Sequence, residues 1–167
     1  RGKARAKAER LSERDAGALH SDAPCRRQTA QRNNRGCCLG MRWPEDANGW
    51  PMAEHSQLIA CAPHQWHVQS LGEGPTVLLL HGAGGANQSW RNLATISSEN
   101  FHVVCIDLPG QGFTRSGAQN RYGLDAMAQD VSKLCAQEQL QPTAIIGHSA
   151  GAAVALRMVQ LGFDTDK

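Results

Sequence analysis

Gly147-His148-Ser149-Ala150-Gly151 is the segment of this 167-residue chain best suited to chemistry. It has the form G-x-S-x-G and lies between an apolar run, Thr143 to Ile146, and an alanine-rich run that starts at Ala150. A strand that turns into a helix within so few residues needs small side chains on both sides of the serine. The helix then directs its positive end at the reacting centre. Ser149 is therefore the candidate nucleophile of a nucleophile elbow, and the chemistry it suits is acyl transfer through a covalent intermediate. The competing reading is a Gly/Ser-rich turn with no chemistry.

A second segment, His81-Gly82-Ala83-Gly84-Gly85, follows directly on the apolar run Thr76 to Leu80. Attack by a serine on a carbonyl puts negative charge on oxygen, and two fixed backbone N–H groups in a water-poor site stabilise that charge by several kcal/mol. Those donors are assigned to Ala83 and Ala150, with glycines letting the backbone approach a substrate without a Cβ in the way. A phosphate-binding glycine loop competes for the same letters, but the lysine and threonine it needs are missing. His81 and His148 lie within turns and are expected to hold structure rather than move protons. Asp107 is expected to brace its own turn through local hydrogen bonds.

A serine in this setting takes its acid and its histidine from later in the chain. All seven histidines, His20, His55, His64, His67, His81, His102 and His148, precede Ser149, and Asp164 and Asp166 follow it closely. The expectation is the N-terminal part of a longer protein, with the triad acid and histidine absent from this chain. Such a piece would be inert as a hydrolase. The alternative is a complete but degenerate protein, disfavoured because a sheet cut at its central strand exposes a long apolar edge.

The elements that must carry these residues alternate in the manner of an α/β protein. Strands are expected at Gln65–Leu71, Thr76–Leu80, Phe101–Ile106 and Thr143–Ile146. Helices are expected from Ser89, which would act as N-cap, over Leu124–Leu140, and over Ala150–Leu161. Leu124, Met127, Val131, Leu134 and Cys135 recur at three- and four-residue intervals, so one face of their helix should pack on the sheet. Asp107-Leu108-Pro109-Gly110-Gln111-Gly112 reads as a turn. The fold expected is the first half of a mostly parallel sheet with flanking helices, ending after the helix that follows Ser149.

Composition supports one globular unit over most of the chain: 41% of residues are hydrophobic and 19% charged. Charge is uneven, since residues 1–40 hold ten Lys/Arg against four Asp/Glu while the whole chain is +2. That leader lacks the apolar stretch of a signal peptide and has too many acids for a transit peptide. It reads as a disordered extension, or as upstream sequence ahead of a start at Met41, where composition changes abruptly. No aromatic residue interleaves its basic ones, which argues against nucleic acid. The run Val77 to Leu80 is too short to cross a membrane. Six cysteines, Cys25, Cys37, Cys38, Cys61, Cys105 and Cys135, show no metal-finger spacing, and reduced thiols in the cytoplasm are expected.

The three motifs, each placed after a strand, together resemble the α/β-hydrolase superfamily from about Trp66 to Gly162. Met41-Arg42-Trp43-Pro44, Trp66-His67-Val68-Gln69, Ser89-Trp90-Arg91, Asp107-Leu108-Pro109-Gly110, Gly112-Phe113-Thr114 and Gly147 to Ala153 are similar to the magnesium-chelatase accessory proteins of bacteriochlorophyll synthesis. Gln111 departs from the histidine that many superfamily members carry between the two glycines. The resemblance implies a start at Met41, and a cap, the acid and the histidine beyond Lys167. It also implies a place in photosynthetic pigment synthesis, with an acyl or tetrapyrrole-related small molecule as substrate and magnesium-chelatase subunits as partners. No cofactor or metal of its own is implied. Two functions follow: a serine hydrolase of an ester or related acyl bond, or a non-catalytic accessory that binds a tetrapyrrole or a chelatase subunit. A serine at the elbow argues against dehalogenases and epoxide hydrolases, whose nucleophile is aspartate. Esterases, carbon-carbon bond hydrolases and cofactor-free haloperoxidases stay open.

Overall fold

The computed structural model describes residues 41–117 and 121–165; the basic leader of 1–40, with Cys25, Cys37 and Cys38, lies outside them, as does Asp166. Among the described residues, five strands and three helices follow one another as β1 (Ser56–Cys61), β2 (His64–Leu71), β3 (Thr76–Leu80), α1 (Arg91–Ser97), β4 (His102–Ile106), α2 (Leu124–Gln137), β5 (Pro142–Gly147) and α3 (Ala150–Gln160). They form one sheet in the order β1-β2-β4-β3-β5. β3 pairs in parallel with both β4 and β5, whereas β2 runs antiparallel to both β1 and β4.

The parallel strands read as unbroken apolar runs because both of their faces are covered. Leu78, Leu80, Val104 and Ile106 meet Val131, Leu134 and Cys135 of α2 and Val154 and Met158 of α3. Their alternates Val77, Leu79, Val103 and Cys105 face the other way, toward Ala94 of α1, with Met52 and Trp90 packed alongside. Burying each such side chain contributes about 1.5–3 kcal/mol. This two-sided core holds the C-terminal ends of β3, β4 and β5 in register, and the three motifs begin at those ends.

Three local features differ from the pattern read in the sequence. β1 was not expected, because Ser-Gln-Leu-Ile-Ala-Cys shows no alternation; it becomes a strand through six paired positions with β2, from Ser56↔Gln69 to Cys61↔His64. Ser89 does not cap α1. A 3-10 turn over Asn87–Trp90 leads into the helix, with no side-chain cap bond at either start. α2 stops at Gln137, short of Leu140, because Gln139 adopts φ 54°. The Leu140 N–H then bonds back to the Cys135 carbonyl at 2.8 Å, and Gln139 N–H to that of Ala136. This is a Schellman closure with glutamine in the left-handed position. α3 closes in the same way with Gly162 at φ 89° and the Phe163 N–H on the Met158 carbonyl.

α2 is fastened to the β1–β2 hairpin by charge as well as by packing. Asp130 is buried, and its Oδ2 accepts from His64 Nε2 at 3.0 Å and from Arg121 Nε at 2.7 Å, while Arg121 Nη2 reaches Oδ1 at 2.7 Å. Burial pushes the Asp130 carboxyl up, but the Arg121 and His64 hydrogen bonds outweigh it and hold the group below the ordinary carboxylate value. A depressed native pKa gives stability that is present above the unfolded value of about 4 and lost as pH falls through the native value. Asp130→Asn should therefore cost about 1–3 kcal/mol at neutral pH and flatten the loss of stability on acidification. Urea unfolding at neutral and acid pH checks both parts; equal pH slopes for variant and wild type would contradict the assignment.

Candidate functional site

Ser149 occupies the turn between β5 and α3 with φ 52° and ψ −116°, a region that side chains rarely adopt. Two small neighbours make the turn possible. A Cβ on Gly147 would fall 2.5 Å from Ala152 Cα, and one on Gly151 would run into the carbonyls of Leu80 and His81. The turn is also tied to β3, since Leu80 pairs with Gly147 and the His148 N–H donates to the Leu80 carbonyl at 3.0 Å. The serine is exposed at the N-terminus of the eleven-residue α3. Ser149 thus stands clear of the sheet with helix amides behind it.

The loop after β3 lies against this turn. A Cβ on Gly82 would come 2.8 Å from His148 Nδ1 and 3.2 Å from Ser149 Cβ. The Gly82 carbonyl accepts two hydrogen bonds, from the Gly85 N–H at 3.0 Å and from His81 Nδ1 at 2.8 Å. A trans peptide unit points its N–H opposite to its carbonyl. Pinning the Gly82 carbonyl therefore aims the Ala83 N–H away from the loop's own interior. Neither the Ala83 N–H nor the Ala150 N–H has a hydrogen-bond acceptor among the described residues. Both are unpaired donors in the two turns that meet at the exposed Ser149.

His81 is fully buried and chemically fixed. Its Nδ1 faces a carbonyl and must carry the proton, whereas Nε2 accepts from the Leu108 N–H at 3.0 Å and must be bare. The 3.8 Å approach of Nε2 to Asp107 Oδ1 is accordingly no ion pair. Every position on this imidazole is used for structure. No hydrogen bond joins Ser149 to a histidine or a carboxylate among the described residues.

Asp107, also fully buried, accepts from His67 Nδ1 at 2.7 Å, from the Asn87 N–H at 2.6 Å and from the Phe113 N–H at 2.9 Å. Trp43, tilted, and Phe113, edge-on, flank His67 at ring separations of 5.3 and 5.1 Å. The turn after β4 is wrapped around its own aspartate so tightly that a side chain on Gly112 would overlap the carboxyl group. Sequence reading missed two participants here, Asn87 and Gln111. The Gln111 amide oxygen accepts from the Gly84 N–H at 2.6 Å.

Cys61, Cys105 and Cys135 are free and buried. Burial pushes the Cys105 thiol up to about 12, with Asp107 adding to the effect, and burial pushes Cys135 up to about 12 as well. Thiols held in that form are poor nucleophiles. No group of three or more His, Cys, Asp or Glu suited to a metal ion occurs among the described residues, and no helix among them is long and apolar enough to cross a membrane.

A strand-turn-helix serine beside a glycine loop, on a sheet of this order, defines a class. Residues 75–165 match the family model described as alpha/beta hydrolase fold, and the chain belongs to that family. It is 43% identical over 118 residues to the magnesium-chelatase 30 kDa subunit of Rhodobacter capsulatus, a match that covers 70% of this chain and 40% of that protein. Protein phosphatase methylesterase 1 of Mus musculus is 36% identical over 93 residues, covering 53% and 24% of the two chains. Among solved structures, a membrane phospholipase A described as a bacterial virulence factor superposes with a TM-score of 0.58 at 28% identity, covering 61% of this chain and 34% of that one. The chain spans 40% or less of the length of each of these relatives.

The strained turn yields a measurable asymmetry. Ser149→Gly should be more stable than Ser149→Ala by about 1 kcal/mol, because glycine alone accepts that backbone without strain. Gly151→Ala should destabilise by about 1–3 kcal/mol, since the collision is with backbone. Chemical unfolding of the three variants tests this, and equal stability of the two serine variants would argue that the turn carries no strain.

Proposed function

We propose that Ser149 is the nucleophile of a serine hydrolase acting on an ester or related acyl bond. The observation that carries this reading is the exposed serine at positive φ with the unpartnered Ala83 and Ala150 N–H groups beside it. In the reaction, Ser149 Oγ bonds to the carbonyl carbon while its proton passes to a base histidine. The oxyanion is held by the two amides, and the leaving group departs with that proton to give an acyl-enzyme. Water then repeats the sequence and frees Ser149. The base and its acid are proposed to come from sequence beyond Lys167, in keeping with the share of the relatives' length that the chain spans.

The 43% identity to a protein named as a magnesium-chelatase subunit supports a place beside magnesium insertion in bacteriochlorophyll synthesis. An acyl or tetrapyrrole-related small molecule would be the substrate, chelatase subunits the partners and the cytoplasm the compartment. That same name favours a second reading, in which the fold binds a tetrapyrrole or a chelatase subunit and Ser149 does no chemistry.

Treating the protein isolated from its natural source with a fluorophosphonate probe separates the two. The hydrolase reading expects covalent labelling at Ser149, lost in Ser149→Ala and slowed by at least a hundredfold when the base is removed. A natively folded protein that stays unlabelled would leave the binding reading in possession.

A further inference from the structure

Gln111 lies in the turn after β4, yet it bonds to the loop after β3. Its amide oxygen accepts from the Gly84 N–H at 2.6 Å, a contact between two exposed or half-exposed turns that share no strand pairing at that point. The direction of the amide is settled by chemistry: a backbone N–H can only donate, so the oxygen, and not the nitrogen, must face Gly84.

The consequence runs through two adjoining peptide units. Gly84 is held at φ 73°, and a Cβ there would meet nothing within 4 Å, so no packing on that side helps to fix the loop. On one side of Ala83, the Gly82 carbonyl is gripped by His81 and Gly85. On the other side, the Gly84 N–H is gripped by Gln111. Ala83 is an exposed residue suspended between these two grips. Releasing either one frees the torsions that set where the Ala83 N–H points.

We infer that Gln111 is a positioning residue for the oxyanion loop, holding the Ala83 amide in its productive direction by anchoring Gly84. The inference rests on the reading of Ala83 as an oxyanion donor. It assigns to the residue between Gly110 and Gly112 a task that neither motif carries alone. The side chain does not touch the reacting atoms; it acts through the loop.

Gln111→Ala and Gln111→Glu in the whole protein test this, with wild type as reference. Amide hydrogen exchange at Gly84 reads the anchor, exchange at Leu79 in β3 reports whether the fold has changed, and fluorophosphonate kinetics at Ser149 read its effect. Gln111→Ala should speed Gly84 exchange by about tenfold or more at unchanged Leu79 exchange. It should lower the maximal labelling rate by roughly ten- to a hundredfold while leaving the half-saturating probe concentration unchanged. Gln111→Glu should keep Gly84 protected, because a carboxylate oxygen accepts the same bond. Unchanged Gly84 exchange in Gln111→Ala overturns the anchor. Faster exchange with unaltered labelling overturns the positioning role. A wild-type protein that does not label sinks the hydrolase reading, and the positioning role with it, while the exchange comparison still decides the anchor.

Discussion

The site depends on the satisfaction of one buried carboxyl group. Asp107 sits at the end of β4 with no exposure, and its two oxygens take donors from β2, from the loop after β3 and from its own turn. Leaving a buried carboxyl short of a donor costs far more than the bond contributes when made. These three segments therefore have one low-energy arrangement relative to one another. That constraint seats the next layer, in which the Leu108 N–H fixes the tautomer of His81, and His81 in turn holds the Gly82 carbonyl. The Ala83 N–H is aimed by a relay of hydrogen bonds that begins at a carboxyl group with no exposure.

What could be read from the amino acids alone follows from how local the cause is. β3 is found to the residue because a fully covered parallel strand is an apolar run with turn residues on both sides. α3 is found to within a residue because the serine turn fixes its start. β1 escaped because Ser56–Cys61 has no alternation and only Ile59 favours a strand strongly; the pairing with β2 alongside makes it one. The end of α2 escaped because glutamine, not glycine, fills the left-handed position at 139. Ser149 and the glycines around it were legible since their spacing is itself the geometry. Gln111 was visible in sequence as a departure from the usual histidine, but its bond to Gly84 joins residues 27 apart, and no local pattern encodes that.

The two faces of the sheet are unequally covered, and this bears on how the site is supported. The face toward α2 and α3 carries most of the apolar core and the Asp130 fastening. The opposite face is closed by the seven-residue α1, the 3-10 turn before it and the segment around Met52. Trp43 and Trp50 complete the enclosure of His67 and Phe113 there, which explains what holds a stretch with so little regular structure in place. These aromatic rings keep water from the carboxyl group on which the loops converge.

β5 delivers Ser149, and among the described residues it is hydrogen-bonded to β3 alone. Its far side presents unpaired backbone groups, flanked by Ile146 at 41% exposure and by Leu156 and Val159 of α3 at 68% and 53%. A bare strand edge beside apolar side chains is a template for another strand. Among the described residues, β5 is therefore where the sheet can be extended by another strand, with Ile146, Leu156 and Val159 as the apolar margin such a strand would meet.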